Sequence, residues 1–136
     1  MKHAEDILDI VGNTPLVKLA RISLQAGIEA EIYAKLEFYN PSGSLKDRIY
    51  KEMITKAVER GDLLLGMQIL EVSTGNAGIA CSLVGTHLGF KVTIVMPEGM
   101  SEERKQLIRV FGGELVLTPG AESDVDLSIK KAESML

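Results

Sequence analysis

The chain has 136 residues and a formal net charge of −4, with 46% hydrophobic and 25% charged residues. That balance reads as one soluble globular domain able to bury a core, and its acidic excess gives no footprint for nucleic acid or an anionic membrane surface. One cysteine permits no internal disulfide, as expected of a cytoplasmic protein, while His3 and His87 lack neighbours at metal-ligand spacing and no apolar run reaches transmembrane length.

The first residues, Met1-Lys2-His3-Ala4-Glu5-Asp6, carry acids where a signal peptide has an apolar run. Ala30–Glu37 reads as a strand with Ile32, Ala34 and Leu36 on one face. A loop, Asn40-Pro41-Ser42-Gly43-Ser44-Leu45-Lys46-Asp47-Arg48, then delivers a lysine to the start of a helix. That helix is expected to begin after Ser44, with Asp47 placed as in a capping box and Arg48 paired with Glu52 one turn on. Its apolar positions Leu45, Ile49, Met53, Ala57 and Val58 recur at helical spacing, and Gly61 ends it.

Met67–Val72 is predicted as the next strand and Ala77–Leu88 as the next helix, stopped by Gly89. Cys81 falls within the apolar pattern of that helix and reads as core filler; His87 reads as a packed or surface residue. Lys91–Met96 is a β-branched buried strand, and Ser101 caps a third helix with Glu102 and Glu103 favourably placed in its first turn. Glu114–Leu117 makes the last strand, Thr118-Pro119-Gly120 turns the chain, and a final helix starts at Ser123 or Asp124. This alternation is the signature of a parallel α/β sheet.

Two segments carry chemistry. A helix N-terminus repels a cation, so Lys46 is poorly placed for stability alone; the same field, with some burial, favours the neutral amine. A neutral amine can form a Schiff base with a carbonyl. Ser73-Thr74-Gly75-Asn76-Ala77-Gly78 lies between strand and helix, where backbone N–H groups and small hydroxyls point at an anion. The alternative for Ser73 and Asn76 is simple capping. Both loops are expected at one edge of the parallel sheet, each where a strand hands over to a helix. The lysine loop is Pro-Ser-Gly-Ser-Leu-Lys rather than G-x-G-x-x-G, which sets a dinucleotide site aside.

With these residues in view the chain resembles the fold-type II pyridoxal phosphate (PLP) enzymes, in particular cysteine synthase and cystathionine β-synthase. The resemblance also rests on Gly12-Asn13-Thr14-Pro15-Leu16-Val17, Lys35-Leu36-Glu37, Met96-Pro97-Glu98-Gly99-Met100-Ser101-Glu102-Glu103-Arg104 and Phe111-Gly112-Gly113-Glu114-Leu115-Val116-Leu117. It implies a three-layer αβα Rossmann-like parallel sheet, the N-terminal part of the tryptophan synthase β-like fold. Residues 1–40 would be a segment that packs on a large domain, and residues 41–136 a small α/β domain. Family members are roughly twice as long. Their later GTGGT-like phosphate loop and the residue meeting the pyridine nitrogen have no match here, and Gly112-Gly113, after a helix and before a strand, falls on the opposite edge. The chain also stops uncapped within a helical pattern, so it looks like the first half of an enzyme.

By the same resemblance Lys46 is the Schiff-base lysine and the base for the α-proton. Asn76 contacts the cofactor ring oxygen, and Ser73, Thr74, Gly75, Asn76 and Ala77 bind the substrate α-carboxylate without a full positive charge beside the cofactor. Ala77 stands where cysteine synthases usually have threonine, and alanine there also resembles some serine and threonine dehydratases. The implied function is β-replacement on an O-activated serine, with sulfide as nucleophile. Alternatives are dehydratase-type β-elimination, or an inactive paralogue serving as an interaction module. Partners implied are a small amino-acid substrate and either further copies of the chain or a complementing C-terminal polypeptide.

Overall fold

The computed structural model describes residues 3–136. A 3-10 turn, Ile7–Ile10, opens the described chain, its first free N–H capped by Asp6, whose carboxylate accepts from the Leu8 amide at 2.7 Å. Then come β1 (Leu16–Lys18), α1 (Ala20–Gln25) and β2 (Tyr33–Lys35). β1 and β2 pair antiparallel as a two-stranded sheet, with Leu16 opposite Lys35 and Lys18 opposite Tyr33. Here the structure corrects the expectation for Ala30–Glu37. Its strand is three residues long, ends in a 3-10 turn at Glu37–Tyr39, and does not belong to the parallel sheet.

The rest alternates as expected: α2 (Lys46–Arg60), β3 (Gln68–Val72), α3 (Asn76–His87), β4 (Lys91–Pro97), α4 (Glu102–Val110), β5 (Glu114–Thr118) and, after a 3-10 turn at Glu122–Asp124, α5 (Val125–Glu133). β3, β4 and β5 form a parallel sheet with β4 central, Ile69 opposite Val92 and Ile94 opposite Leu115. α2 packs on α3, and α3 packs on β4 and α4, while α5 lies against β3, β4 and β5, which gives three layers. Gly61 closes α2 in the left-handed region at φ +76°, where its N–H satisfies helix-end carbonyls.

β4 explains the core. Val92 to Pro97 are all buried, as in a central parallel strand covered on both faces. Val92, Ile94 and Met96 join Ile79, Ala80, Cys81 and Val84 of α3 in one apolar cluster with Tyr50 and Ile54 of α2. α3 sits unusually close because two of its contact positions are glycine. A Cβ on Gly78 would lie 3.0 Å from Ile94, and one on Gly85 only 2.5 Å from Val92. Eight consecutive α3 residues, Gly78 to Gly85, are consequently buried.

Candidate functional site

The lysine loop is built from inside by two buried polar residues. Asn40 is 3% exposed; its Oδ1 accepts from the Gly12 amide at 2.9 Å, and its Nδ2 donates to the Glu37 carbonyl at 2.7 Å. Asp47 is fully buried, and its carboxylate accepts from the Ser42 amide at 2.7 Å and from the Ser42 hydroxyl. This differs from the expected capping box. Asp47 ties down the loop two residues before Ser44, while Ser44 itself accepts from the Lys46 amide at 3.2 Å. A carboxylate in the first turn also faces the positive end of α2.

Arg48 differs as well. It reaches Glu37 at 3.0 Å and the Thr14 hydroxyl at 2.8 Å rather than Glu52. A tertiary partner at partly buried distance outcompetes a solvent-exposed neighbour one turn away, whose pairing is worth only a few tenths of a kcal/mol. The Arg48 guanidinium holds the Glu37 carboxyl down at about 2, with Asn40 and Lys35 adding to that. Thr14, Glu37, Asn40 and Arg48 thereby fasten the N-terminal segment to the root of the lysine loop.

Lys46 is the first residue of α2 and half-buried. Among the described residues its Nζ has no hydrogen-bond or ion-pair partner, whereas Lys51 donates to the Leu8 carbonyl and Lys105 to the Glu98 carbonyl and Glu102. A half-sheltered amine without a partner is available for chemistry.

In the second loop Ser73 is buried, and its Oγ accepts from the Gly78 amide at 2.8 Å and the Gly75 amide at 3.2 Å. The capping role is therefore real. Both lone pairs are engaged, and the hydroxyl donates only a long 3.4 Å bond to the Gly75 carbonyl, which an anion can displace. The backbone N–H groups of Thr74, Asn76 and Ala77 have no partner among the described residues, and the Asn76 side chain is exposed. One hydroxyl, three amides and a carboxamide at the positive end of a twelve-residue helix form a donor-rich site for a carboxylate.

The two arms meet without both following strands of the parallel sheet. Tyr50 lies near Cys81, and Ile54 lies 3.8 Å from the Cβ position of Gly85. Both pairs keep the same offset, so α2 and α3 run in the same direction and their N-termini share one end. Helix pairing, not a common sheet edge, brings Lys46 to the level of Asn76 and Ala77. Below them the buried Tyr50 and Cys81 lie with the partly buried Glu71. Burial pushes the Tyr50 hydroxyl up, helped by Glu71, and pushes the Cys81 thiol to about 12. Cys81 is 0% exposed and is core filler, as its position in the sequence implied. His87, exposed, pairs with Asp6 at 2.9 Å and lies at the far end of α3.

Arg104 was not singled out from the sequence. It comes from α4, donates to the Thr74 carbonyl at 3.1 Å and covers one side of Gly75, 3.6 Å from that residue's Cβ position. Its partner lies thirty positions away, so no local signal marks it. Gly112 and Gly113, between α4 and β5, have their amides bonded to the Arg109 and Ile108 carbonyls and sit at the entry end of β5, away from this site. An apolar groove of about 610 Å³ at the other end of α2 and α3 is lined by Val58, Leu63, Leu64, Leu65, Leu88 and Phe90. Its lining residues carry no titratable side chain. Among the described residues no cluster of His, Cys, Asp or Glu has the makings of a metal site, and no helix is long and apolar enough to cross a membrane.

A family model described as pyridoxal-phosphate dependent enzyme matches residues 7–135. A probable cysteine synthase of Bacillus subtilis is 44% identical over 135 residues, covering 99% of this chain and 42% of the relative. The crystal structure of a cysteine synthase from Entamoeba histolytica superposes with a TM-score of 0.92 at 37% identity, over 98% of this chain and 40% of that one. An O-acetylserine dependent cystathionine β-synthase from Helicobacter pylori superposes at 0.88 with 32% identity, over 99% of this chain and 44% of that one. The chain thus spans about two-fifths of the length of the relatives it matches.

Proposed function

The chain belongs to the pyridoxal-phosphate dependent enzyme family, and from that premise we propose that it carries the lysine and carboxylate half of a cysteine-synthase-like active site. The observation that carries this reading is a Lys46 amine and Thr74, Asn76 and Ala77 amides, all without partners among the described residues, at one end of paired helices.

The residues fit the cofactor by their chemistry. Lys46 offers the amine that a carbonyl requires, and the exposed Asn76 carboxamide offers a donor to a ring oxygen without adding charge. Bound PLP supplies the electron withdrawal that acidifies the α C–H of an amino acid. The chain's own residues supply substrate binding and proton transfer. The Ser73 hydroxyl and the free amides hold the substrate carboxylate, which fixes the direction of the α C–H bond relative to Lys46. Lys46 Nζ would anchor the cofactor, and its free amine would take the α-proton of a bound amino acid. Ala77 contributes its backbone N–H alone, so the carboxylate loses one hydroxyl donor relative to a threonine there. The Asp47–Ser42 and Arg48–Glu37 contacts keep the lysine loop from drifting.

The reaction proposed is β-replacement on an O-activated serine with sulfide as the nucleophile, in a cytoplasmic setting. In this reading residues 41–136 carry the site, and residues 1–40 dock on further sheet structure, another copy or a complementing polypeptide. Exposed Leu16, Leu24 and Phe38, at 65%, 83% and 65% exposure, give that segment an apolar surface to bury. The test is conversion of O-acetyl-L-serine and sulfide to cysteine by the PLP-treated chain, beside Lys46→Ala. Cysteine from the wild type alone supports the proposal. Pyruvate from L-serine without cysteine favours elimination, the outcome to which Ala77 points, and neither product favours an inactive interaction module.

A further inference from the structure

Arg104 is a cation placed against the carboxylate loop, and three observations make it more than a surface arginine. It is half-buried, yet no carboxylate lies within ion-pair distance of it among the described residues. It stands in the first turn of α4, where the helix field disfavours a cation and where Glu102 and Glu103 are the fitting residues. Its Nη1 donates to the Thr74 carbonyl, with Nε 3.6 Å from the Gly75 Cβ position.

That bond sits at the head of a chain. The Thr74 carbonyl shares its peptide unit with the Gly75 N–H, which donates to Ser73 Oγ, which also accepts from the Gly78 N–H. A cation on the carbonyl polarises the peptide, and each bond strengthens the next, leaving the Ser73 proton a better donor to an anion. The same bond fixes the peptide whose neighbours, the Thr74 and Asn76 amides, have no partner among the described residues.

Resting on the carboxylate site argued above, we propose that Arg104 is its charge-complementing positioning residue. It clamps the loop in the receptive shape and supplies the positive charge that an amino-acid α-carboxylate neutralises. The site thus selects for carboxylate through a cation behind the loop rather than beside the cofactor.

The test follows the Thr74, Asn76 and Ala77 amide resonances of the whole chain during titration with L-serine, a zwitterion that adds no ionic strength. L-serine methyl ester, which lacks the carboxylate, is the control. Wild type, Arg104→Lys and Arg104→Met are compared at low and at physiological salt, with the remaining resonances reporting the fold. The proposal expects Arg104→Met to weaken L-serine binding about tenfold at low salt and about threefold at physiological salt, because the lost charge term is itself screened. Arg104→Lys should recover part of the low-salt affinity, and the ester should shift none of the three amides in any variant. Equal affinity of wild type and Arg104→Met overturns the proposal, as does a loss that is salt-independent and shared equally by the lysine variant. Wild-type amides that L-serine does not move overturn the carboxylate site itself, and the role of Arg104 with it.

Discussion

Asp47→Ala should destabilise the chain by about 2–4 kcal/mol, and the arithmetic follows from its surroundings. The carboxylate is fully buried and accepts from both the amide and the hydroxyl of Ser42, next to the positive end of α2. A hydrogen bond to a charged group is worth about 1.5–3 kcal/mol, and the two here share one acceptor group, so they do not add fully. The helix field contributes about 0.3–1 kcal/mol more. Against this stands the cost of burying a charge, which the alanine variant no longer carries. Asp47→Asn separates these effects. Its carbonyl oxygen still accepts from the Ser42 amide and its NH2 can donate to the hydroxyl, so it should lose only about 1–2 kcal/mol. Urea unfolding followed by far-ultraviolet circular dichroism measures both. The reasoning fails if Asp47→Asn is as stable as wild type and Asp47→Ala loses under about 1 kcal/mol, since the buried charge would then be neutral to the fold.

The other expectations rest on different contacts. Gly85→Ala puts a Cβ 2.5 Å from Val92 on the central strand, an overpacking cost of about 1–3 kcal/mol that outweighs the roughly 1 kcal/mol gained in helix propensity; a rise in the thermal midpoint would contradict the close packing of α3 on β4. Glu37 is depressed from 4.5 to about 2 by Arg48, so its share of stability is present above pH 4.5 and is lost as pH falls toward 2. Glu37→Gln should flatten that part of the acid limb in urea titrations, and an unchanged limb would show that the pair is not what acid breaks. Cys81, wholly buried with its thiol pushed to about 12, should react with a disulfide reagent only after unfolding; prompt reaction in native buffer would place it at the surface.

The β–α alternation from Gln68 onward was legible because each strand is a short apolar run bounded by a helix start or stop, with Gly61, Gly89 and Ser101 acting as punctuation. The N-terminal strand was harder. Alternation in Ala30–Glu37 suits either kind of sheet, and only pairing with Leu16–Lys18, a long-range choice, makes it a separate antiparallel ribbon. The site divided in the same way. Lys46 and the Ser73–Ala77 loop stand out locally, by a cation at a helix start and by small polar residues between strand and helix. Asp47 was correctly read as an acid of the first turn but bonds Ser42, five positions back, because the loop folds over it. Arg48 and Arg104 find their partners across the fold, at Thr14 and Thr74, and nothing in their own windows names those residues.

The central claim is that Lys46 presents a free, sheltered amine to a carbonyl at the end of the paired helices. It is tested most directly by treating the chain with PLP, reducing with borohydride and mapping the labelled lysines by mass spectrometry. The account predicts label on Lys46 ahead of exposed lysines such as Lys18 and Lys35, suppressed by a small amino acid that competes for the cofactor carbonyl. Label spread over the exposed lysines, with Lys46 spared, would contradict it.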